Sequence, residues 1–269
     1  MKHSTLGELL ESLRGAERSL TYITGEASEQ VISFGELYER ALGILHHLQR
    51  LGARAGDKLI LFIGDNEQFI DAFWAAILGG IIPVPVAIGI SDEHRHKLLR
   101  IARKLGTPYL YTDRKTLERL AAFTDKAHQE PREGETFAAL RARAFTVDQL
   151  DDISQPGKRH QASAGDTAFI QFSSGSTSDP KGVVLTHANL LANVRQATEV
   201  AGFNELAVCL SWMPLTHDMG IIGLHLIMLA NRVTMALMQT ELFIRRPLLW
   251  LTFATRKRAT ILASPNFGY

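Results

Sequence analysis

Residues 167–185 read TAFIQFSSGSTSDPKGVVL, and this stretch decides which fold the chain can adopt. The apolar run 167–172 predicts a buried strand, and 183–185 predicts a second one. Between them lies a loop of small residues whose backbone N–H groups can converge on an anion, because little side-chain bulk blocks the approach. The loop offers further donors from four hydroxyls and one ammonium group, namely Ser173, Ser174, Ser176, Thr177 and Lys181. The pattern therefore predicts a polyphosphate-binding loop.

This loop differs from the common P-loop of nucleotide-binding proteins. A Walker sequence ends in Gly-Lys followed by Ser or Thr, whereas the lysine here stands in Pro180-Lys181-Gly182 with no hydroxyl after it. A kinase or GTPase therefore has little support. An ordinary Ser/Gly hairpin turn is the plain alternative, and the full ten-residue string makes it the weaker one.

The chain before this loop alternates helical periodicity with short apolar runs. Ser33 and Glu36 have the spacing of a capping box ahead of an apolar helical face. The run KLILFI at 58–63 predicts a buried strand. Asn66 is expected to cap the next helix, which should end at Gly79-Gly80 because glycine suits a helix C-terminus.

Prolines indicate where the next strand lies. Residues 82–86 read IPVPV, and proline removes a ladder donor at two positions, so this strand belongs at a sheet edge or at the start of a crossover. A basic amphipathic helix is predicted from Ser91 to Leu105, then a strand at 109–111 and a helix from Asp113. This repetition predicts a layered α/β fold with mainly parallel sheets flanked by helices.

Two polar segments, 125–142 and 151–165, are predicted to be loops. Between them, 145–147 is predicted to form one strand. The chain after the predicted phosphate loop again alternates helix and strand signals. The predicted elements there are a helix near Asn189, a strand at 207–212, a loop at 214–218, an apolar helix to Ala230, a strand at 233–238, a helix from Pro247 and a strand at 260–263. We accordingly predict a boundary between two parts, 1–165 and 166–269.

The composition excludes several classes of protein. The 269 residues carry 29 Lys+Arg against 28 Asp+Glu, and 46% are hydrophobic, so the chain can bury a core and is not intrinsically disordered. No basic stripe supports nucleic-acid binding, and no apolar stretch is long and uninterrupted enough for a membrane span. A single Cys, Cys209, and no apolar leader favour a reducing, cytoplasmic location.

Extended to FSSGSTSDPKGVVLTHANLLAN, the loop string closely resembles the phosphate-loop signature of the adenylate-forming (AMP-binding) superfamily. That superfamily contains acyl-CoA synthetases, nonribosomal-peptide adenylation domains and luciferases. Residues 174–177 and 180–182 match the signature, whereas Ser178 stands where many members have glycine. The resemblance implies the fold of the large N-terminal domain of acyl-CoA synthetases and luciferase.

A second block narrows the resemblance. Residues 211–223 read SWMPLTHDMGIIG and look like the family segment that lies beside the acyl group. Its HDMG form at 217–220, together with 246–250 and 258–269, is most similar to fatty acyl-AMP ligases and to the acyl-ligase loading modules of polyketide and nonribosomal-peptide synthases. The run from Gly79-Gly80 to Pro85 fits the same subgroup.

The resemblance implies that a carboxylate and MgATP react to give an acyl-adenylate and pyrophosphate. ATP and Mg²⁺ are then the cofactors, and the acyl group passes to an acyl-carrier-protein thiol or to CoA. The residues it assigns to the β- and γ-phosphates or departing pyrophosphate are Ser173, Ser174, Gly175, Ser176, Thr177, Lys181 and Gly182. Thr177 is a weak candidate ligand for Mg²⁺, since one hydroxyl cannot hold a hard ion alone.

The second block supplies the other candidate residues. His217 lies in a loop after a strand, and the resemblance implies that it orients the carboxylate or α-phosphate and gates the acyl channel. Asp218 is better explained as a helix cap. Met219, Ile222, Asn266 and Phe267 are candidates for the lining of the acyl pocket, although core packing explains such apolar residues equally well.

Members of the family are longer than this chain. They continue with an acidic loop, a ribose-binding Asp, a hinge and a small C-terminal lid domain that carries a second lysine. We therefore expect 1–165 to form the first α/β part of the large adenylating domain, and 166–269 to hold the phosphate-loop part and the start of the acyl-binding subdomain, without the lid domain. The chain alone is expected to bind ATP weakly and to form acyl-adenylate poorly. Two alternatives stay open: a non-catalytic nucleotide-binding or docking module, and an acyl-CoA ligase proper. The length of the acid is left open too.

Overall fold

The computed structural model describes residues 3–89, 91–126, 131–150, 152–173 and 179–268. The helices in these ranges are α1 Leu6–Ser12, α2 Phe34–Arg50, α3 Asn66–Gly79, α4 Asp92–Leu105, α5 Arg114–Lys126, α6 Pro131–Ala142, α7 His187–Ala201, α8 Ile227–Ala230, α9 Thr240–Arg245 and α10 Leu248–Lys257, with a π-helix at Met219–Leu226 and 3-10 turns at Val147–Gln149 and Asn266–Gly268. The strands are β1 Ser19–Ile23, β2 Glu29–Ser33, β3 Lys58–Leu61, β4 Ile82–Pro85, β5 Tyr109–Thr112, β6 Ala144–Thr146, β7 Thr167–Ser173, β8 Lys181–Thr186, β9 Val208–Ser211, β10 Thr234–Met238 and β11 Ile261–Leu262. Within the described ranges, no helix combines the length and the apolar character that a bilayer crossing requires.

Short polar side chains fix where the first long helices begin. The predicted capping box of α2 is confirmed: Ser33 Oγ accepts from the Glu36 N–H at 3.0 Å, and the Glu36 carboxylate accepts from the Ser33 N–H at 2.6 Å. The cap predicted for α3 is wrong by one residue, because Asp65 and not Asn66 accepts from the backbone. Asn66 instead donates to the Met238 carbonyl oxygen at 3.3 Å and ties α3 to β10.

Three sheets carry the fold, and two of them are mainly parallel. The first has the order β4-β3-β5-β6 and is parallel throughout. The second has the order β11-β9-β10-β1-β2, in which only the β1–β2 pair is antiparallel. The third is the antiparallel hairpin β7-β8. Layered α/β architecture with mainly parallel sheets is therefore confirmed, and the proline-containing β4 lies at a sheet edge as predicted.

Helices cover both faces of the four-stranded sheet. Alternate residues of β3 point to opposite sides, so Leu59 and Leu61 join one hydrophobic cluster while Ile60 joins another. The first cluster contains the almost completely buried helix α3, and the second contains the apolar faces of α4, α5 and α6. Strand β7 lies against β4 and contributes Phe169 to one cluster and Ile170 to the other. The strand that leads into the glycine-rich loop is thus held on both sides by core packing.

One predicted loop is a helix. Residues 131–142, within the polar segment 125–142, form α6, because Phe137 and Leu140 are buried against its neighbours despite the surrounding charges. The carboxylate of Glu133 is buried as well and lies 2.8 Å from the Nδ1 of His96 on α4. The sparse apolar face was hidden among the charged residues. In the other predicted loop, residues 152–165 form neither helix nor strand.

The boundary at residue 165 stays a prediction. The five-stranded sheet takes β1 and β2 from before that point and the strands β9, β10 and β11 from after it. The same hydrophobic cluster includes Leu20 of β1 and Met235 of β10, which lie side by side. Packing therefore joins the two parts closely.

Candidate functional site

Strands β7 and β8 bring the two ends of the predicted phosphate loop together. Ser173 lies opposite Lys181 and Phe172 lies opposite Gly182 in the antiparallel register. Lys181 is the first residue of β8, at the end of the loop, and its side chain is exposed. Four other loop residues predicted to bind phosphate lie outside the described residues: Ser174, Gly175, Ser176 and Thr177. Ser178, which stands where many members of the family have glycine, lies outside them as well. Their assignment stays a prediction, as does the plain hairpin turn.

Gly182 leaves little room for a side chain in the packing of this hairpin. A Cβ at Gly182 would lie 3.0 Å from Cζ of Phe172 and 3.1 Å from Cγ2 of Ile170. Both side chains belong to the neighbouring strand β7 and are held in the core. The glycine after the lysine thus allows β8 to approach β7, and its place in the sequence has a structural reason besides any contact with phosphate.

His217 lies in a tight turn that leads into the π-helix. Its N–H donates to the Pro214 carbonyl at 3.0 Å, and its Nδ1 accepts from the Met219 N–H at 3.2 Å. The Asp218 carboxylate accepts from the same N–H at 2.7 Å, so the predicted role of Asp218 as a cap is confirmed. The side chains of His217 and Asp218 are 63% and 67% exposed, with Nδ1 and Oδ1 2.7 Å apart. The imidazole is therefore held by its neighbours and open to a ligand.

The π-helix packs directly on this turn. Gly220 is buried, and a Cβ there would lie 2.1 Å from the carbonyl oxygen of Pro214. Only glycine allows this approach. The helix Met219–Leu226 departs from α-geometry, since the Ile227 N–H donates to the Ile222 carbonyl five residues earlier. Such π-turns occur often at functional sites.

A side-chain amide joins the phosphate-loop strand to the His217 turn. Gln171 on β7 donates from Nε2 to the carbonyl oxygen of Thr216 at 2.8 Å. The two segments that the sequence singled out are thereby neighbours in space. Gln171 was not predicted from the sequence. The signal that could have found it is a polar residue inside the apolar strand TAFIQF.

The residues predicted to line the acyl pocket differ in exposure. Met219 and Phe267 are 41% and 79% exposed, Asn266 is exposed, and Ile222 packs partly against the main core. Trp212 connects two of their segments, because it precedes the His217 turn and its ring centroid lies 6.0 Å from that of Phe267. Their assignment to an acyl pocket stays a prediction.

An aromatic cluster, absent from the sequence-based predictions, supports this region. Trp212 stacks on Phe243 at 3.8 Å between ring centroids and meets Trp250 edge-on at 6.4 Å. Its carbonyl oxygen accepts from the hydroxyl of Thr240 at 2.9 Å. The end of β9, where the His217 segment begins, is therefore fixed against α9 and α10.

Two buried titratable groups lie behind the site. Asp71 on α3 accepts from Nε and Nη2 of Arg40 at 2.9 and 2.6 Å, and burial raises the pKa of Asp71 to about 6 against the pull of the guanidinium. His225 of the π-helix accepts from the indole N–H of Trp74 at 2.9 Å, and burial lowers the pKa of His225 to about 3. A neutral imidazole therefore anchors the π-helix to α3.

Residues 3–89, 91–126, 131–150, 152–173 and 179–268 contain no group of three or more His, Cys, Asp or Glu side chains placed to hold a metal ion. Thr177, the hydroxyl predicted to contact Mg²⁺, lies outside these ranges. Cys209 in β9 is completely buried, and burial raises the pKa of its thiol to about 12. This thiol is a small core residue, as the sequence suggested.

The chain is similar to known proteins in its sequence and in its fold. The sequence profile described as "AMP-binding enzyme" matches residues 14–267. The structure of McyG A-PCP complexed with phenylalanyl-adenylate superposes with a TM-score of 0.88 and 32% identity, over 98% of this chain and 47% of that one. The fatty acyl-adenylate ligase from L. pneumophila, solved with acyl adenylate and pyrophosphate, gives a TM-score of 0.84 and 26% identity over 100% of this chain and 45% of that one.

Among curated proteins, the medium-chain-fatty-acid–[acyl-carrier-protein] ligase JamA of Moorena producens is 26% identical over 99% of this chain and 45% of its own length. The chain thus spans less than half the length of the curated relatives it matches, between 42% and 45% of each.

Proposed function

Because the chain belongs to the AMP-binding enzyme family, we propose that it forms the phosphate-binding and acyl-facing part of an enzyme that activates a carboxylic acid as its acyl-adenylate. The observation that carries the proposal is the 2.8 Å hydrogen bond from Gln171 to the carbonyl of Thr216. It holds the strand entering the predicted phosphate loop beside the turn of His217, so a triphosphate and a carboxylate bound at these two segments would meet.

The proposed reaction balances without a redox step. One carboxylate oxygen attacks the α-phosphorus of ATP, a new P–O bond forms, and the bond from the α-phosphorus to the oxygen that bridges to the β-phosphorus breaks. Pyrophosphate leaves with that electron pair. The carboxylate needs this step because AMP is a far better leaving group than oxide. Catalysis of such a transfer rests mainly on positioning and charge neutralisation.

Lys181 suits the neutralisation of phosphate charge. Lys181 is exposed and stands at the start of β8, opposite Ser173, where the loop ends. The neighbouring acid Asp179 is paired with Lys104 at 2.6 Å and so does not compete with a phosphate for Lys181. We propose that Lys181 neutralises charge on the β- and γ-phosphates and on departing pyrophosphate, together with the small loop residues.

His217 suits the positioning of the reacting groups. The turn and the cap hold its ring at the start of the π-helix, exposed on the side away from the core. We propose that it orients the carboxylate or the α-phosphate by a hydrogen bond and borders the channel of the acyl group. Met219, Ile222, Asn266 and Phe267 are proposed to line that channel, because Trp212 connects the two segments that contain them.

Mg²⁺ is proposed as the companion of ATP. The described residues offer no carboxylate cluster for it, so the oxygens of the triphosphate would be its main ligands, with the Thr177 hydroxyl as the candidate from this chain. Bound there, the ion would neutralise phosphate charge. We propose in addition a cytoplasmic enzyme.

The proposed acceptor of the acyl group is the thiol of an acyl carrier protein, since JamA is named as a ligase of that acceptor. The thiol sulfur attacks the acyl carbonyl carbon, the bond to AMP breaks, and the thiol proton passes to solvent. CoA is the competing acceptor. Offering each thiol to preformed acyl-adenylate, and measuring thioester by mass spectrometry, distinguishes the two.

The direct test is binding of MgATP to the 269-residue chain, measured by titration calorimetry, with carboxylate-dependent ATP–pyrophosphate exchange measured beside it. We expect weak binding that Lys181→Ala reduces at least tenfold, equivalent to about 1.4 kcal/mol. Lys115→Ala, which changes an exposed lysine of α5, is the matched control and should bind as the wild type does. Equal affinity of all three chains would contradict the assignment of Lys181.

The same pair of measurements addresses the non-catalytic alternative. Binding with no exchange, both in this chain alone and in any longer protein that contains it, would indicate a nucleotide-binding or docking module. Exchange that depends on the acid and on Lys181 would establish the ligase.

A further inference from the structure

Gln171 occupies a place that core packing does not explain. Its strand neighbours Ile170 and Phe172 pack into the hydrophobic cluster behind β4, whereas the amide of Gln171 points to the opposite side and reaches Thr216. Its Oε1 is buried and accepts no hydrogen bond from the described residues. A leucine would fill the space without leaving a buried oxygen unpaired. The amide is therefore retained at a cost, and its single hydrogen bond is the obvious reason.

The two ends of that hydrogen bond are functional segments. Gln171 stands two residues before Ser173, where the predicted phosphate loop begins, and Thr216 directly precedes His217. The hydrogen bond is thus a short link between the nucleotide side and the acid side of the proposed site.

The turn that receives the link is stiff. Its backbone is closed by the hydrogen bond from His217 N–H to the Pro214 carbonyl, and Gly220 packs on that same carbonyl. Through these contacts, a displacement of the Thr216 carbonyl would be expected to reach His217. By contrast, flexible contacts would absorb such a displacement before it reached the ring.

We propose that Gln171 is a positioning residue that couples occupancy of the phosphate loop to the placement of His217. The inference rests on the proposed phosphate-binding role of that loop. Nucleotide binding would shift the end of β7, and the amide would pass the shift to the turn. Because coupling of two binding events is reciprocal, a carboxylate at His217 would in turn raise the affinity for MgATP.

The experiment follows His217 directly and needs no turnover. The backbone amide of His217 is observed by ¹⁵N NMR during titration of the 269-residue chain with MgATP, and affinity is measured in parallel by calorimetry. In the wild type, the His217 signal should shift with the same saturation curve as binding. In Gln171→Leu we expect affinity within threefold of the wild type and a shift of the His217 signal reduced at least fivefold.

Two further variants make the result specific. Gln49→Leu is the matched control, because Gln49 also donates from its side chain to a backbone carbonyl, that of Lys158, at 2.7 Å and far from the site. Its His217 response should equal that of the wild type. If Gln171→Leu does not fold, Gln171→Met carries the test at the same pH: the methionine side chain is unbranched and flexible and cannot donate to Thr216, so the His217 response should be reduced in the same way.

The outcomes distinguish failure of the coupling role of Gln171 from failure of the proposed nucleotide binding. A preserved His217 response in Gln171→Leu, or a loss of response equally large in Gln49→Leu, overturns the coupling role. MgATP binding by the wild type without any His217 response overturns the coupling role and leaves the phosphate loop intact. Absence of MgATP binding overturns the proposed function, and the inference falls with it.

Discussion

Two glycines of the π-helix give a paired prediction for Gly→Ala substitutions. At Gly220 a new Cβ would lie 2.1 Å from the Pro214 carbonyl oxygen and 2.8 Å from its carbon. Both atoms belong to the backbone, so relief requires the turn or the helix to move. At Gly223, in the same helix, the nearest atom is Cγ of Met219 at 3.9 Å, which is ordinary contact. The two positions therefore differ mainly in the space available.

The expected magnitudes have opposite signs. Overpacking of this kind costs about 1–3 kcal/mol, so Gly220→Ala should lower the free energy of unfolding. Gly223→Ala should raise it by about 0.5–1 kcal/mol, because alanine loses less backbone entropy than glycine in a helix. The difference in unfolding free energy between the two variants is then about 1.5–4 kcal/mol. At roughly 2–4 °C per kcal/mol for a chain of this size, their melting temperatures should differ by roughly 3–16 °C.

The assay is urea unfolding followed by tryptophan fluorescence, with thermal melting as the second measurement. The His217 amide signal should also shift in Gly220→Ala and stay near its wild-type position in Gly223→Ala, because the Pro214 carbonyl accepts from the His217 N–H. If the two variants have equal stability, or if Gly220→Ala is the more stable, the close packing of the π-helix on the His217 turn is wrong.

The remaining predictions concern buried groups. His225→Gln should be less stable than the wild type at pH 8, and this difference should shrink by about 1.4 kcal/mol per pH unit below pH 6.5. Below pH 6.5 the imidazole of His225 takes up a proton in the unfolded chain, whereas in the folded chain, with a pKa of about 3, it does not. Only the wild type therefore loses stability on acidification through this group. A constant difference from pH 7 to pH 5 in urea unfolding would exclude this. Arg40→Met should lower stability by about 3 kcal/mol at pH 8, since it leaves the Asp71 carboxylate buried and unpaired, and by less at pH 5, where Asp71 takes up a proton; an equal loss at both pH values would argue against it. Cys209 should resist a thiol-specific disulfide reagent at pH 8 in the folded chain and react rapidly in urea; fast reaction of the native chain would contradict its burial.

Local signals in the sequence predicted most of the elements. The capping box at Ser33, the glycines after α3 and the prolines of β4 each act within a few residues of the structure that they determine. The hairpin around the phosphate loop was visible for the same reason. The cap of α3 was misplaced only because Asp65 and Asn66 are adjacent and both can accept from a helix N-terminus.

What the sequence did not reveal depends on distant partners. Helix α6 is stabilised because Phe137 and Leu140 are buried and the helix packs against α4 and α5. The charged residues around them conceal the apolar periodicity in the sequence. The amide of Gln171 donates its hydrogen bond to Thr216, a residue in another segment that the local sequence does not indicate. The pairing of Arg40 with Asp71 likewise joins two helices. Periodicity reports which face of an element is buried, but it does not report which buried polar group meets which.

The five-stranded sheet has a consequence for how the chain is made. Strand β1 is synthesised long before its parallel neighbour β10, although Leu20 and Met235 lie side by side in the sheet. At 5–20 residues per second, the ribosome needs roughly 10–40 s to reach that partner. Until then β1 has only β2 to pair with, and a lone two-stranded ribbon is marginal in water. The sheet therefore closes late, as a long-range and intrinsically slow step, and the nascent chain must keep the apolar side of β1 from other partners during the wait.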